Sequence, residues 1–186
     1  DAPYPMPGQT ATVMRLDYHT AGSRQELPKP KSHHQSYAMT STNNITGLIL
    51  AGGKGQRVGN RDKGLILLKG RPLIAHVSDR LLPQVGVLLI SCNRNFSRYE
   101  KIAAQTVADT RRNFQGPLAG MEAAYPYIQT EFLVVVGCDM PHLPPDLVSR
   151  LAMPLVDGGD GAPDISYAHD GVREQYLCAA IRRDCL

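Results

Sequence analysis

From Ile45 onward, apolar runs alternate with stretches of helical periodicity. Ile45 to Ala51 is a largely apolar run of strand length, the pattern of a strand covered on both faces. Pro72 to Leu82 sets Leu73, Ile74, Val77 and Leu81 on one face, with Pro72 suited to a first helical turn. Val85 to Ser91 predicts the next strand, Arg98 to Gln105 a short helix, and Thr106 to Ala108 a short strand. Gly116-Pro117 opens a helix expected to run through about Tyr127. Phe132 to Val136 reads as the most buried strand, and Pro145 to Leu155 as a helix with Leu147, Val148 and Leu151 inward. Ile165 to Ile181 reads as two extended pieces turning at Asp170-Gly171. This alternation predicts an α/β fold, a three-layer α/β/α arrangement on a mostly parallel, Rossmann-like sheet, with ligands at the carboxyl ends of the strands.

The first 44 residues break the pattern. They carry five prolines and many Ser, Thr, Gln and His, with apolar residues too sparse for a stripe or an alternation. Ordering a residue costs about 1 to 2 kcal/mol, and this segment has little apolar surface to offset it. Residues 1–44 are therefore expected to form a disordered tail, with one domain over 45–186. Met39 lies just before the first strand and is the expected natural start.

Composition excludes several classes. A formal charge of +3, with cations scattered, predicts no nucleic-acid partner. The apolar run Phe132 to Val136 is too short to span a bilayer, so a cytoplasmic protein without a membrane partner is expected. Cys92, Cys138, Cys178 and Cys185 lie far apart without a Cys-x-x-Cys pair, which predicts free thiols rather than a zinc or redox site. Cys138, with His142 nearby, is read as a buried strand-end residue and not as a nucleophile.

The chemistry concentrates after the first strand. Glycines at 52, 53, 55 and 59 leave backbone N–H groups clear of side chains, so they can wrap a polyphosphate. Arg57 offers a planar fork for oxygen pairs and Lys63 a mobile point charge. Neither common phosphate-loop pattern fits: Lys63 is followed by Gly64 rather than Ser or Thr, and a dinucleotide loop would need glycine where Val58 stands. Asn93, Asp109 and Asp139 follow three later strands, so four distant segments converge on one sheet edge.

Leu50-Ala51-Gly52-Gly53, then Arg57, Gly59 and Asp62-Lys63, resemble the signature of nucleotidyltransferases that use a nucleoside triphosphate. Gly116-Pro117-Leu118-Ala119-Gly120-Met121 and Cys138-Asp139-Met140-Pro141 narrow the resemblance to molybdenum cofactor guanylyltransferases, in family order from Ile45 to the last residue. The resemblance implies a nucleotide-diphospho-sugar-transferase-like fold and transfer of GMP from GTP to the terminal phosphate of Mo-molybdopterin, releasing pyrophosphate. It implies Mg²⁺ as cofactor, held by Asp139. Arg57 and Lys63 would supply catalytic charge, and Leu50, Ala51, Gly52, Gly53, Lys63, Asn93, Asp109 and Asp139 would bind the nucleotide. Acceptor molybdoenzymes or accessory proteins are implied as partners. Val58 stands where the family usually has methionine, and the chain stops at Arg182-Arg183-Asp184-Cys185-Leu186, before the family's C-terminal part that helps bind the pterin. A C-terminally truncated domain is thus expected. The competing readings are a CTP-dependent cytidylyltransferase, against which the Gly116 to Met121 run argues, and a nucleotide-binding protein without catalysis.

Overall fold

The computed structural model describes residues 11–15, 41–53, 55, 59–103, 105–111, 116–157 and 161–186. Among them seven strands form one sheet: β1 (Ala11–Arg15), β2 (Ile45–Leu50), β5 (Val87–Ser91), β6 (Gln105–Val107), β7 (Phe132–Gly137), β8 (Ile165–His169) and β9 (Glu174–Arg182). Two short strands, β3 (Leu67–Leu68) and β4 (Arg71–Pro72), make a separate hairpin. The sheet order is β1-β8-β9-β7-β2-β5-β6, and β9 alone runs antiparallel to its neighbours. The fold is the expected mostly parallel α/β/α arrangement.

The helices are α1 (Leu73–Leu81), α2 (Phe96–Tyr99), α3 (Pro117–Ala124) and α4 (Leu147–Asp157). All six residues of β7 are buried, because β2 and β9 flank it and helices cover both faces. On one face Ile74, Val77 and Leu81 of α1 join Leu147, Leu151 and Leu155 of α4 over Ile49, Val134 and Val136. On the other face Met121 and Ala124 of α3 pack with Leu48, Leu89, Leu133 and Val135.

Four differences from the sequence reading have local causes. The helix expected over 98–105 lies instead at Phe96–Tyr99, because left-handed Asn95 starts the turn early and Tyr99 is drawn fully into the core. α3 ends at Ala124, and Tyr125–Tyr127 continue as a 3₁₀ turn, since Pro126 has no N–H for an α-helical bond. The hairpin β3–β4 went unpredicted; Lys69 and Gly70 both have positive φ, the geometry of a tight two-residue turn. Within the segment expected to be disordered, Ala11–Arg15 forms a strand paired parallel with β8, since the open edge of β8 supplies hydrogen bonds that composition cannot reveal. The 3₁₀ turn Thr42–Asn44, capped by Ser41, then leads into β2. The rest of 1–40 lies outside the described residues.

Candidate active site

The carboxyl ends of β2, β5, β6 and β7 are tied together beyond the last ladder pairs. Ala51 N–H donates to Ser91 O at 2.8 Å, Cys138 N–H to Leu50 O at 3.1 Å, and Cys92 N–H to Val107 O at 2.9 Å. A cleft of about 550 Å³ opens over these ends. Its walls include Leu50, Ala51, Gly52, Gly53, Lys63, Asp109 and Asp139, so seven of the sequence-predicted nucleotide-binding residues meet in one place.

Lys63 Nζ lies 3.3 Å from Asp139 Oδ2 across the cleft. A Cβ on Gly137 would stand 2.8 Å from Asp139 Oδ1, so glycine leaves that oxygen its space at the strand end. Asn93 is not among the lining residues; its amide donates to Gly52 O at 3.1 Å and to Asp109 Oδ2 at 2.7 Å, while its carbonyl accepts from the Asp109 N–H at 2.9 Å. Asn93 thereby fixes the Asp109 carboxylate. The other oxygen, Asp109 Oδ1, is buried and has no hydrogen-bond partner among the described residues. Arg57 lies outside the described residues.

Ser91 and Leu177 line the cleft without a role in the sequence reading, and Gly120 enters there only as part of the Gly116 to Met121 motif. Ser91 sits on the floor, and a Cβ on Gly120 would come within 2.6 Å of its Oγ, so α3 approaches β5 closely because position 120 has no side chain. A glycine inside a helix costs about 0.5–1 kcal/mol relative to alanine, and that cost was the available signal of close approach. Leu177 reaches the cleft where the register of β8 and β9 shifts between Tyr167 and Ala168, whose ladder partners are Ala179 and Gln175. No sequence pattern marks such a bulge.

Burial, then nearby Asp139, pushes the Cys138 thiol up to about 12, so it stays protonated and is no nucleophile. Beneath the glycine loop, burial and then the hydrogen bond to Asp62 hold the Tyr99 phenol far above its ordinary range. Among the described residues no group of three or more His, Cys, Asp or Glu could hold a metal by itself. A single carboxylate suits a hard cation that takes its remaining ligands from water and substrate phosphates, so Asp139 fits that role.

A glycine-walled crevice at the carboxyl ends of parallel strands, with a cation facing a carboxylate, is the architecture of an enzyme that acts on nucleoside phosphates. The chain belongs to the family of the MobA-like NTP transferase domain, whose profile matches residues 47–186. It is 46% identical over 137 residues to a molybdenum cofactor guanylyltransferase of Cupriavidus necator, covering 73% of this chain and 69% of that one. A molybdenum cofactor guanylyltransferase of Yersinia pseudotuberculosis is 52% identical over 108 residues, 58% of this chain and 55% of the other. Among solved structures, molybdopterin-guanine dinucleotide biosynthesis protein A from Archaeoglobus fulgidus superposes with a TM-score of 0.57 at 24% identity, over 75% of this chain and 68% of that chain. That last likeness establishes the fold. Among the described residues no helix is long and apolar enough to cross a membrane.

Proposed function

We propose that the protein transfers GMP from GTP to the terminal phosphate of molybdopterin. A phosphate oxygen of the acceptor attacks the α-phosphorus, the bond to the leaving pyrophosphate breaks, and no protein nucleophile is needed. The observation that carries this reading is the Lys63–Asp139 pair, 3.3 Å apart within the glycine-walled cleft. A transfer of this kind depends on positioning and charge neutralisation, and Lys63 can swing from Asp139 onto a phosphate oxygen. Asp139 would hold a divalent cation, Mg²⁺ in this reading, which when bound neutralises phosphate charge. Gly52 and Gly53 would present backbone groups to the phosphates, and Arg57 would add a second cation. Guanine carries two adjacent N–H donors, and the buried, unpartnered Asp109 Oδ1 is an acceptor suited to one of them. Asn93 would act by holding that carboxylate. GTP supply and free thiols suit the cytoplasm.

Calorimetric titration of the 186-residue chain with GTP, CTP and ATP, with and without Mg²⁺, tests the reading. GTP is expected to bind selectively and to need Mg²⁺. Preference for CTP would favour a cytidylyltransferase instead, and GTP binding without pyrophosphate release in the presence of acceptor would favour a binding protein.

A further inference from the structure

We propose that Arg94, which is not among the residues lining the cleft, is a positioning residue that closes the neck of the phosphate loop, with Asp62 as its buried counter-ion. This inference rests on the nucleotide-transfer reading above. The glycine loop runs out past Gly53, three residues beyond the end of β2, and returns at Asn60 and Arg61, and one guanidinium reaches both sides. Arg94 Nη1 donates to Asn60 O at 2.9 Å, and Nη2 donates to Arg61 O at 3.0 Å and to Gly53 O at 3.4 Å. A second contact closes the same neck, from Asn60 N–H to Gly55 O at 2.9 Å. Gly55 has φ +70°, and a Cβ there would lie 2.0 Å from Arg61 O and 3.2 Å from Arg94 Nη2, so the clasp is formed where no side chain fits.

The guanidinium is itself anchored. Its Nε lies 3.8 Å from Asp62 Oδ2, and the Asp62 side chain is only 7% exposed. Asn95 Nδ2 donates to Asp62 Oδ2 at 2.9 Å, and the buried Tyr99 hydroxyl donates to Asp62 Oδ1 at 2.5 Å. Gly64 makes that reach possible, since a Cβ there would stand 2.6 Å from the Tyr99 hydroxyl. A buried carboxylate with this many partners is costly to displace. It fixes residue 62, and residue 63 is the cation facing Asp139. In a trans peptide the carbonyl and the following N–H point opposite ways. Carbonyls gathered on Arg94 therefore turn the next N–H groups, those of Arg61 and Asp62, away from it. Arg94 orders the loop from behind, and its planar fork serves several carbonyls at once, which a lysine ammonium on a flexible stem cannot reproduce.

The test compares the unsubstituted chain with Arg94→Met and Arg94→Lys, by amide hydrogen exchange and by calorimetric GTP affinity with Mg²⁺. Exchange over residues 53–62 is expected to quicken in Arg94→Met and less in Arg94→Lys, while β7 stays protected. GTP affinity is expected to fall about 10- to 100-fold in Arg94→Met and by less in Arg94→Lys, the usual scale for removing a supporting contact behind a ligand site. Unchanged loop exchange would overturn the proposal. So would faster loop exchange with unchanged GTP affinity, or an equal rise in β7 exchange in both variants, which would make Arg94 a general structural residue. Failure of the unsubstituted chain to bind GTP would overturn the nucleotide-transfer reading, and the exchange data would still decide whether Arg94 closes the loop.

Discussion

Replacing Lys63 by alanine separates a stabilising role from a chemical one. Its ammonium lies 3.3 Å from Asp139 Oδ2, with the two side chains 40% and 50% exposed. Two unit charges at that distance attract by about 1.3 kcal/mol at the dielectric constant of water. Side-chain ordering and salt offset most of it, so the pair stabilises the fold by about 0–1 kcal/mol. For a domain of this size that corresponds to a melting shift below about 4 °C. Turnover, by contrast, is expected to fall about 10²- to 10³-fold, or roughly 2.7–4 kcal/mol of transition-state stabilisation, the scale of losing one preorganised charge donor. The assay is pyrophosphate release at saturating GTP, Mg²⁺ and molybdopterin, beside a thermal melt of the same preparation. An unchanged turnover number would remove Lys63 from the mechanism. A melting loss several times larger than about 4 °C would show that the pair is structural after all.

Asp139→Asn keeps the shape but not the charge of the carboxylate, so the melt should be near that of the parent while Mg²⁺-dependent nucleotide binding weakens; intact metal dependence would move the ligand elsewhere. Gly120→Ala would place a methyl 2.6 Å from Ser91 Oγ and 3.0 Å from Leu50 Cδ2. It should cost about 1–3 kcal/mol in denaturant unfolding, and adding Ser91→Ala should recover part of that; equal losses in both variants would exclude the clash. Burial pushes the Cys92, Cys138 and Cys178 thiols up to about 12, against 9.0 ordinarily. The unfolded chain ionises them first, so their contribution is complete below pH 9 and is lost as pH rises toward 12. Urea midpoints should fall over that window and fall less steeply in Cys178→Ala; parallel slopes would refute the assignment.

Much of this protein was legible before any coordinates. Periodicity located β2, β5 and β7 and the apolar faces of α1 and α4, because a strand covered twice and a helix covered once leave different apolar spacings. The glycines after β2, with Arg57 and Lys63, announced phosphate chemistry, since few other tasks need bare backbone beside cations. What stayed hidden depends on partners distant along the chain. That β9 enters the sheet antiparallel between β8 and β7, and that Leu177 reaches the cleft at its bulge, follows from competition among strand pairings that no local window contains. Arg94 looks like an ordinary surface charge in the sequence, and nothing in the Asp62-Lys63 motif, 32 positions away, points to it. Only the return of the glycine loop onto the end of β5 sets Arg94 against Asp62 and against three backbone carbonyls. The sequence by itself determined which chemistry the chain carries, because residue type fixes charge, hydrogen-bonding capacity and backbone freedom. The tertiary structure alone decided which groups face the cleft and which hold them from behind, because that depends on distances closed by long-range packing.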